Sequence, residues 1–273
     1  MNTIMQNENL FSKYSKNTSY KTENTGTRKK MFPSLTFFAR LIKIVLRSNR
    51  LARNGNYDDL RWVQSSIDVI NALENSGVEM NFEGLENLYS VEGPVLFIGN
   101  HMSTLETMAL PTLIHPIKTV VYVIKEELST YPLFGPIALA RDPILVGREN
   151  PREDLKIVME EGSRKIQAGK SIIIFPQKTR SQFFDSSLFN SLGVKLAKRN
   201  NIPVIPLSLL TDAWGNGKII KEAGKIDPSK KVHISFGAPI TVTGNGSAEH
   251  EQVVQFIANK LTQWGRGDLV VKA

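Results

Sequence analysis

The stretch Gly93-Pro-Val-Leu-Phe-Ile-Gly-Asn-His-Met-Ser-Thr-Leu-Glu106 decides the fold that this sequence predicts. Its first half, the apolar run Val95–Ile98 closed by Gly99, is typical of a buried strand. Its second half places polar side chains directly after that strand. Because ligands bind beyond the carboxyl ends of the strands in open α/β sheets, the stretch predicts a functional site at that edge of an α/β sheet.

His101 and Glu106 are the candidate catalytic pair. If a helix begins near Met102, the carboxylate of Glu106 can reach back toward the imidazole of His101. A carboxylate in that place holds one tautomer of the ring and stabilises the imidazolium, so the other ring nitrogen can take a proton. We therefore predict that His101 is a general base and that Glu106 orients it.

Apolar strands alternate with helical segments along the rest of the chain. Strands are predicted at Thr119–Ile124, Ile144–Val146, Ser171–Phe175, Val204–Leu209 and Val232–Phe236, after a short strand and turn in Val78–Leu88. Helices are predicted at Glu106–Ile114, from the cap Asn150 to Gly169, at Leu188–Asn200 and at His250–Trp264. Leu128–Leu139, with its prolines and glycine, is interpreted as a turn. This alternation predicts a mixed, mostly parallel sheet with helices on both faces.

The chain divides into three parts by composition. Residues 1–30 are rich in Asn, Thr, Ser and Lys, which predicts a disordered polar tail. Residues 31–77 read as two amphipathic helices, one capped by Ser34 and one starting at Asp58 or Asp59. Residues 78–273 carry the alternating strands and helices and form the predicted main domain.

The first of these helices has a cationic stripe beside an aromatic-rich apolar surface. Arg40, Lys43, Arg47 and Arg50 follow one another at spacings of three, four and three residues, which places them on one side of a helix. Such a helix can lie in the interface of an anionic bilayer. The alternative is a helix packed on the main domain with its charges in water. We predict that residues 31–77 dock to a membrane.

Composition narrows the class of function. The chain has 273 residues and a formal net charge of +8, which suits an anionic membrane, phosphorylated substrates or nucleic acid. It has no cysteine, which excludes disulfides, a thiolate nucleophile and a cysteine metal site. Its four histidines are scattered, so no metal site is predicted. We expect no secretory signal and no membrane span, because no segment has the required apolar length.

A second informative stretch is Ile172-Ile-Ile-Phe-Pro-Gln-Lys-Thr-Arg-Ser181. Proline cannot donate to a sheet ladder, so Pro176 ends the strand and a polar loop follows. Arginine can bind a phosphate with two parallel hydrogen bonds, and lysine acts as a point charge. The candidate substrate-binding residues of this loop are Phe175, Pro176, Gln177, Lys178, Thr179, Arg180 and Ser181.

Two weaker patterns complete the set. The predicted strand Ile144–Val146 runs into Gly147 and Arg148, so it ends by presenting a cation. Ile202-Pro-Val-Ile-Pro-Leu207 is an apolar strand with two prolines, which suits the wall of a pocket. Ile202, Pro203 and Pro206 are therefore candidates for an acyl pocket.

The order of these four motifs resembles the glycerophospholipid acyltransferase family, whose best-known members are the lysophosphatidate acyltransferases. The similarity runs from about Val78 to Pro239 and includes Glu83-Gly-Leu-Glu-Asn-Leu88 before the first motif and Phe236-Gly-Ala-Pro239 after the last. The basic apolar helices also look like the membrane-docking helices of that family.

The resemblance implies acyl transfer from acyl-CoA or acyl carrier protein to a hydroxyl of a lysophospholipid, with lysophosphatidate as the leading acceptor. His101 would then be the base, with no covalent step on the enzyme and no bound cofactor. Arg148, Lys178 and Arg180 would hold phosphate, and Asn100 and Ser103 would bind substrate beside the base. We expect a peripheral or monotopic protein on the cytoplasmic face of an anionic membrane.

Two departures from the family pattern bear on the acceptor. The family usually has Asp at the position of Glu106, which keeps the negative charge. It usually has Glu-Gly at the positions of Gln177 and Lys178, so the charge of this pair differs by two units. The same chemistry on glycerol 3-phosphate, another lysophospholipid or a lyso-aminolipid remains an alternative. A second alternative is a basic protein without catalysis that binds membranes or nucleic acid, although an aromatic and basic pattern for nucleic acid is missing.

Overall fold

The computed structural model describes residues 13–14, 18–23, 31–147, 149–177, 179–217 and 221–271. The strands are β1 (Ser19–Lys21), β2 (Met80–Glu83), β3 (Leu96–Gly99), β4 (Val120–Lys125), β5 (Ile144–Val146), β6 (Ser171–Ile174), β7 (Val204–Leu210) and β8 (Val232–Phe236). The α-helices of eight residues or more are α1 (Pro33–Arg53), α2 (Asp59–Glu74), α3 (Leu105–Ile114), α5 (Pro151–Gln167), α6 (Leu192–Arg199) and α7 (Ser247–Gln263), and the shorter α4 is Phe134–Leu139.

The eight strands form one sheet in the order β1-β2-β8-β7-β3-β6-β4-β5. The neighbours from β7 to β5 pair in parallel, whereas β8 is antiparallel to β7 and β1 is antiparallel to β2. Helices cover both faces, so the predicted mixed, mostly parallel sheet flanked by helices is confirmed.

The central strand β3 is buried on both faces, which explains its uninterrupted apolar sequence. Successive side chains of a strand point to opposite faces. Phe97 packs into the core beneath α1, α2 and α3, whereas Leu96 and Ile98 pack into the core that includes α5, α6 and α7. The sheet therefore separates two hydrophobic layers, and the carboxyl end of β3 emerges between them.

Gly99 ends β3 at a point where a side chain would not fit. A Cβ atom there would lie 2.8 Å from the carbonyl oxygen of Leu207 on β7. Glycine therefore permits the close approach of β3 and β7. This approach sets the position of Asn100 and His101, which follow directly.

One detail of the predicted helices is wrong. Ser34 does not cap α1, which begins at Pro33 after Phe32 without a side-chain cap, and the Ser34 hydroxyl accepts a hydrogen bond from the Ile226 N–H at 3.0 Å. The segment predicted to hold a turn, Leu128–Leu139, has a turn at Pro132 and Leu133 and then forms α4, which contains Gly135 and Pro136. Pro136 is compatible with this helix because it lies in the first turn, where the missing N–H has no partner to lose.

The disordered-tail prediction for residues 1–30 is wrong for the described residues 18–23. β1 pairs with β2, and Tyr20 is buried against Phe82 with ring centroids 5.4 Å apart. Burial of this aromatic side chain and the hydrogen bonds to β2 outweigh the polar composition of the segment. The remaining residues of this range, apart from residues 13–14, lie outside the described residues.

Helix α1 is part of the main hydrophobic core. Phe37 is fully buried, and its ring meets Trp214 edge to face with centroids 4.7 Å apart. Residues 31–77 therefore share one core with the sheet rather than lying apart from it. Within the described residues, each helix is too short or too polar to cross a bilayer.

Candidate active site

Two predicted motifs meet at the carboxyl ends of β3 and β6. The strands end at the same level, because Ile98 on β3 pairs with Ile174 on β6. The His101 N–H then donates to Oε1 of Gln177 at 2.6 Å, and the Ser181 N–H donates to the His101 carbonyl oxygen at 2.9 Å. The sheet therefore joins the histidine motif to the basic loop, as the sequence predicts.

Glu106 lies beside His101 as a fully buried carboxylate. Its Oε1 is 3.4 Å from Nδ1 of His101, which is a close polar contact rather than a well-aligned hydrogen bond. The same Oε1 accepts the N–H groups of Met102 at 2.5 Å and Ser103 at 2.8 Å. Its Oε2 accepts the hydroxyls of Ser103 at 2.9 Å and Thr211 at 3.0 Å. These donors hold the carboxylate in one position.

The pKa of Glu106 is lowered despite its burial. Burial opposes ionisation of the carboxyl, but the interactions with His101 and the hydrogen bond from the Ser103 N–H outweigh it and bring the pKa below its ordinary value. The carboxylate is therefore ionised at neutral pH and faces the imidazole as an anion.

The ring of His101 is oriented on two sides. It stacks on Phe175 with centroids 4.5 Å apart and an interplanar angle of 5°, and Nδ1 faces Glu106. The side chain is 14% exposed, and His101 lines a cavity. Because Nδ1 faces the carboxylate, Nε2 is the nitrogen left for a reacting group.

The cavity has a volume of about 930 Å3. Its apolar wall is formed by α1, α2, α3, β4 and α4, and includes the side chains of Leu41, Val45, Trp62, Met108, Phe134 and Ile137. Its polar end includes His101, Thr104, Arg180 and Glu222. A mostly apolar cavity that ends at an imidazole has the chemical character of a site for a molecule with an apolar part and a polar head.

Arg180 contacts the histidine motif through the side chain of Thr104. Its guanidinium donates to Thr104 and, at 2.6 Å, to the carboxylate of Glu222. Thr179 accepts a hydrogen bond from Lys221 at 3.1 Å. The predicted phosphate ligands Arg148 and Lys178 lie outside the described residues.

Asn100, Ser103 and Pro176, which the sequence predicts to bind substrate, are buried and form hydrogen bonds within the protein. The Asn100 amide exchanges hydrogen bonds of 2.8 and 2.9 Å with the backbone of Leu209. Ser103 is 1% exposed and bonds to Glu106, and the buried Pro176 accepts from the Asn190 side chain at 2.6 Å. These hydrogen bonds satisfy buried polar groups at the ends of the strands, and so they hold the backbone around the site in place.

The residues predicted to form an acyl pocket do not line the described cavity that contains His101. Ile202 and Pro203 precede β7 and line a separate cavity of about 290 Å3, at the end of the strand opposite to His101. Pro206 lies within β7 and pairs with Ile98. Apolar content alone placed these residues in a pocket, whereas the direction of the strand takes them away from the site.

The structure adds residues that the sequence analysis missed. The hydroxyl of Thr211 reaches Glu106 from the residue after β7, a position at a strand end that could have signalled a role. Tyr122 lines the cavity and is buried, with its hydroxyl 3.5 Å from the Glu106 carbonyl oxygen. Burial and the Glu106 charge raise its pKa well above the ordinary value, so its phenol stays protonated.

Comparison with known proteins supports this geometry. Residues 79–210 match the family model Acyltransferase. The chain is 28% identical over 171 residues to the 1-acyl-sn-glycerol-3-phosphate acyltransferase of Pseudomonas aeruginosa, covering 63% of each chain. It is 29% identical over 145 residues to the chloroplastic enzyme LPAT1 of Arabidopsis thaliana, covering 52% of this chain and 38% of that protein. The matches thus span less than two thirds of these relatives.

A solved structure shows the same fold. The PlsC 1-acyl-sn-glycerophosphate acyltransferase of Thermotoga maritima aligns with a TM-score of 0.61 and 19% identity, over 85% of this chain and 95% of that one. The matched region contains β3, α3, β6 and β7, which together build the histidine and glutamate site. These matches make the chain similar to the 1-acyl-sn-glycerol-3-phosphate acyltransferases, and they place an Acyltransferase domain at residues 79–210.

Proposed function

We propose that this protein transfers a fatty acyl group from acyl-CoA or acyl carrier protein to the hydroxyl of lysophosphatidate, which yields phosphatidate. The observation that carries the proposal is the His101–Glu106 pair at the end of an apolar cavity of about 930 Å3. The names of the relatives from Pseudomonas aeruginosa and Arabidopsis thaliana support the choice of acceptor.

The proposed reaction uses His101 as its base. Nε2 takes the proton of the acceptor hydroxyl while the oxygen attacks the thioester carbonyl. The ionised Glu106 stabilises the imidazolium that forms. When the tetrahedral intermediate collapses, the carbon–sulfur bond breaks and the imidazolium returns its proton to the leaving thiolate. This sequence needs neither an enzyme nucleophile nor a bound cofactor.

Arg180 is the proposed ligand of the acceptor phosphate. A guanidinium can bind phosphate with two parallel hydrogen bonds, and Arg180 lines the cavity together with His101. Lys178 and Arg148 remain predicted ligands of the same group.

A panel of donors and acceptors tests the proposal. We expect purified protein in mixed lipid vesicles to convert lysophosphatidate to phosphatidate with an acyl thioester, measured by mass spectrometry. Glycerol 3-phosphate, lysophosphatidylethanolamine and a lyso-aminolipid serve as competing acceptors. Faster acylation of any of these than of lysophosphatidate would contradict the proposed acceptor, and the absence of any acyl product would contradict the reaction.

We also propose that α1 docks the protein to an anionic membrane. Besides its buried face, the helix has an exposed apolar stripe of Leu35, Ile42 and Leu46, which are 69%, 57% and 51% exposed. Spacings of seven and four residues align these side chains along the helix. The exposed cations Arg40, Lys43, Arg47 and Arg50 lie beside the stripe. Apolar residues flanked by cations fit a helix that lies in a bilayer interface.

A triple variant tests the docking stripe. We expect Leu35→Ser, Ile42→Ser and Leu46→Ser together to weaken binding to vesicles of phosphatidylcholine and phosphatidylglycerol by at least about tenfold. The reason is that serine buries less apolar surface in the bilayer than leucine or isoleucine does. Vesicle sedimentation measures this binding. A matched control replaces three exposed apolar residues elsewhere, Leu155, Phe183 and Leu188, with serine. Equal binding of the two triple variants would contradict docking through α1.

Gln177 is expected to position the base. Its Oε1 accepts the His101 N–H at 2.6 Å, so Gln177→Ala leaves the His101 loop without this attachment. We expect kcat to fall about tenfold with little change in KM, because a base must be held within hydrogen-bond reach of its proton. Gln177→Glu, which retains an acceptor oxygen, should keep more activity. A purely higher KM in Gln177→Ala would instead indicate substrate contact.

A further inference from the structure

Arg180 is paired with an acid of its own chain at the polar end of the cavity. Nη2 of Arg180 lies 2.6 Å from Oε1 of Glu222, and the two side chains are 16% and 27% exposed. Both residues line the cavity that contains His101. The cation proposed to bind the acceptor phosphate therefore already has a carboxylate beside it.

Hydrogen bonds to the backbone hold the segment that carries Glu222 in place. Trp214 is fully buried, and its indole N–H donates to the Glu222 carbonyl oxygen at 3.0 Å. The Gly215 N–H donates to the Lys225 carbonyl oxygen at 3.0 Å. At Gly224, an added Cβ would lie 1.7 Å from the Gly215 carbonyl oxygen, so the two backbone segments are in close contact. The turn that carries Glu222 is thus held against Trp214 and Gly215 by these contacts.

We propose that Glu222 is a specificity-determining residue of the acceptor site, which acts as the internal counter-ion of Arg180 and weakens the binding of phosphate-bearing acceptors. The inference rests on the proposed function, in which Arg180 binds the acceptor phosphate. It concerns the affinity for the headgroup and not the chemical step at His101.

The competition follows from the geometry of the guanidinium. Carboxylate and phosphate use the same pair of parallel N–H donors, and one of the Arg180 nitrogens is already bound to Glu222. A phosphate must either displace the carboxylate or bind next to a like charge. An acceptor with an uncharged headgroup meets neither cost. Glu222 therefore reduces the preference for phosphate that Arg180 alone would give.

The variant Glu222→Gln tests this inference. Glutamine keeps the size of the side chain and an acceptor oxygen but removes the charge, and the Glu222 carbonyl bond to Trp214 is retained. We expect the KM for lysophosphatidate to fall about threefold to tenfold, which is the scale of a partly buried ion pair. Inorganic phosphate should inhibit the variant at correspondingly lower concentrations, with sodium chloride at equal ionic strength as the reference.

Glu83→Gln is the charge-matched control. Glu83 is partly buried, is paired with a different cation, Lys260, and does not line the described cavity. We expect its KM for lysophosphatidate to stay at the wild-type value. An equal fall in KM for both variants would show a general field effect, and an unchanged or higher KM in Glu222→Gln would show that Glu222 supports Arg180. Either result overturns the proposal.

A binding measurement separates this inference from the proposed function. Inorganic phosphate should raise the thermal unfolding midpoint of Glu222→Gln more than that of the wild type, because ligand binding to the folded state stabilises it. If the wild type acylates no lysophosphatidate but this difference is present, the proposed function fails and the competition at Arg180 stands. Equal shifts in the two proteins overturn the competition.

Discussion

Replacement of His101 by alanine is expected to lower kcat by about 10²–10⁴-fold, the usual contribution of general-base catalysis. The acceptor hydroxyl would lose the only imidazole that lines the described cavity, and the ionised Glu106 would have no ring to orient. Steady-state acyl transfer to lysophosphatidate in vesicles measures the effect. The melting temperature should change little, because the ring is partly exposed and makes one stacking contact.

His250→Ala provides the control for the loss of an imidazole. His250 lies on α7, within the helical layer on the other face of the sheet, and does not line the cavity. We expect this variant to retain wild-type turnover. If His101→Ala turned over as fast as His250→Ala, the assignment of His101 as the base would be wrong.

Glu106→Ala is expected to remove activity and also to destabilise the fold. The substitution leaves the N–H groups of Met102 and Ser103 and the hydroxyls of Ser103 and Thr211 without their buried acceptor. An unsatisfied buried donor costs about 1–3 kcal/mol, so we expect a loss of at least about 3 kcal/mol in the free energy of unfolding. Chemical denaturation measures this loss. A variant that unfolds at the wild-type midpoint would contradict the buried network.

The pH dependence of the free energy of unfolding separates the contribution of the Glu106 charge from that of its size and hydrogen bonds. The folded-state pKa lies below the ordinary value of 4.5, so the ionised group stabilises the fold above that value. This contribution is lost as the pH falls through the folded-state pKa. Glu106→Gln has no such titration, so the stability difference between wild type and Glu106→Gln should shrink at acidic pH. A difference that stays constant from neutral pH to about pH 3 would contradict the lowered pKa.

The strands were predictable where apolar residues ran up to a turn residue. Ile144–Val146 and Val232–Phe236 have the predicted bounds, because each strand ends directly before a glycine, Gly147 or Gly237. The helix predicted at Leu188–Asn200 begins only at Leu192, since Asp185 caps a separate 3-10 turn at Ser186–Leu188. Such local capping competes with the helical pattern and is not visible in hydrophobic periodicity.

The site was predictable where its parts lie close together in the sequence. His101 and Glu106 share one strand-to-helix connection, so their proximity follows from local geometry. Thr211 and Glu222 lie more than a hundred residues away along the chain, and sheet order and backbone contacts bring them to the site. For the same reason the hydrogen bonds of Asn100 to Leu209 and of Ser103 to Thr211 could not be predicted from the sequence.

The wall of the cavity escaped the sequence analysis for a different reason. Gly135 and Pro136 are turn residues in isolation, but here they lie in α4, whose Phe134 and Ile137 line the cavity. The close contact at Gly135, where a Cβ would lie 2.1 Å from the Ser129 carbonyl oxygen, accounts for the glycine. Tertiary packing therefore overrides the local preference of this segment.

Helix α1 has a consequence for how lipid would travel. Leu41 lines the cavity, while its neighbour Ile42 points outward on the exposed stripe, so the two surfaces lie about 100° apart around the helix. On a docked enzyme, hydrocarbon would pass sideways around this helix without entering bulk water. Turnover would then depend on how densely lysolipid populates the bilayer surface, and dilution of the vesicles into more buffer would leave it unchanged.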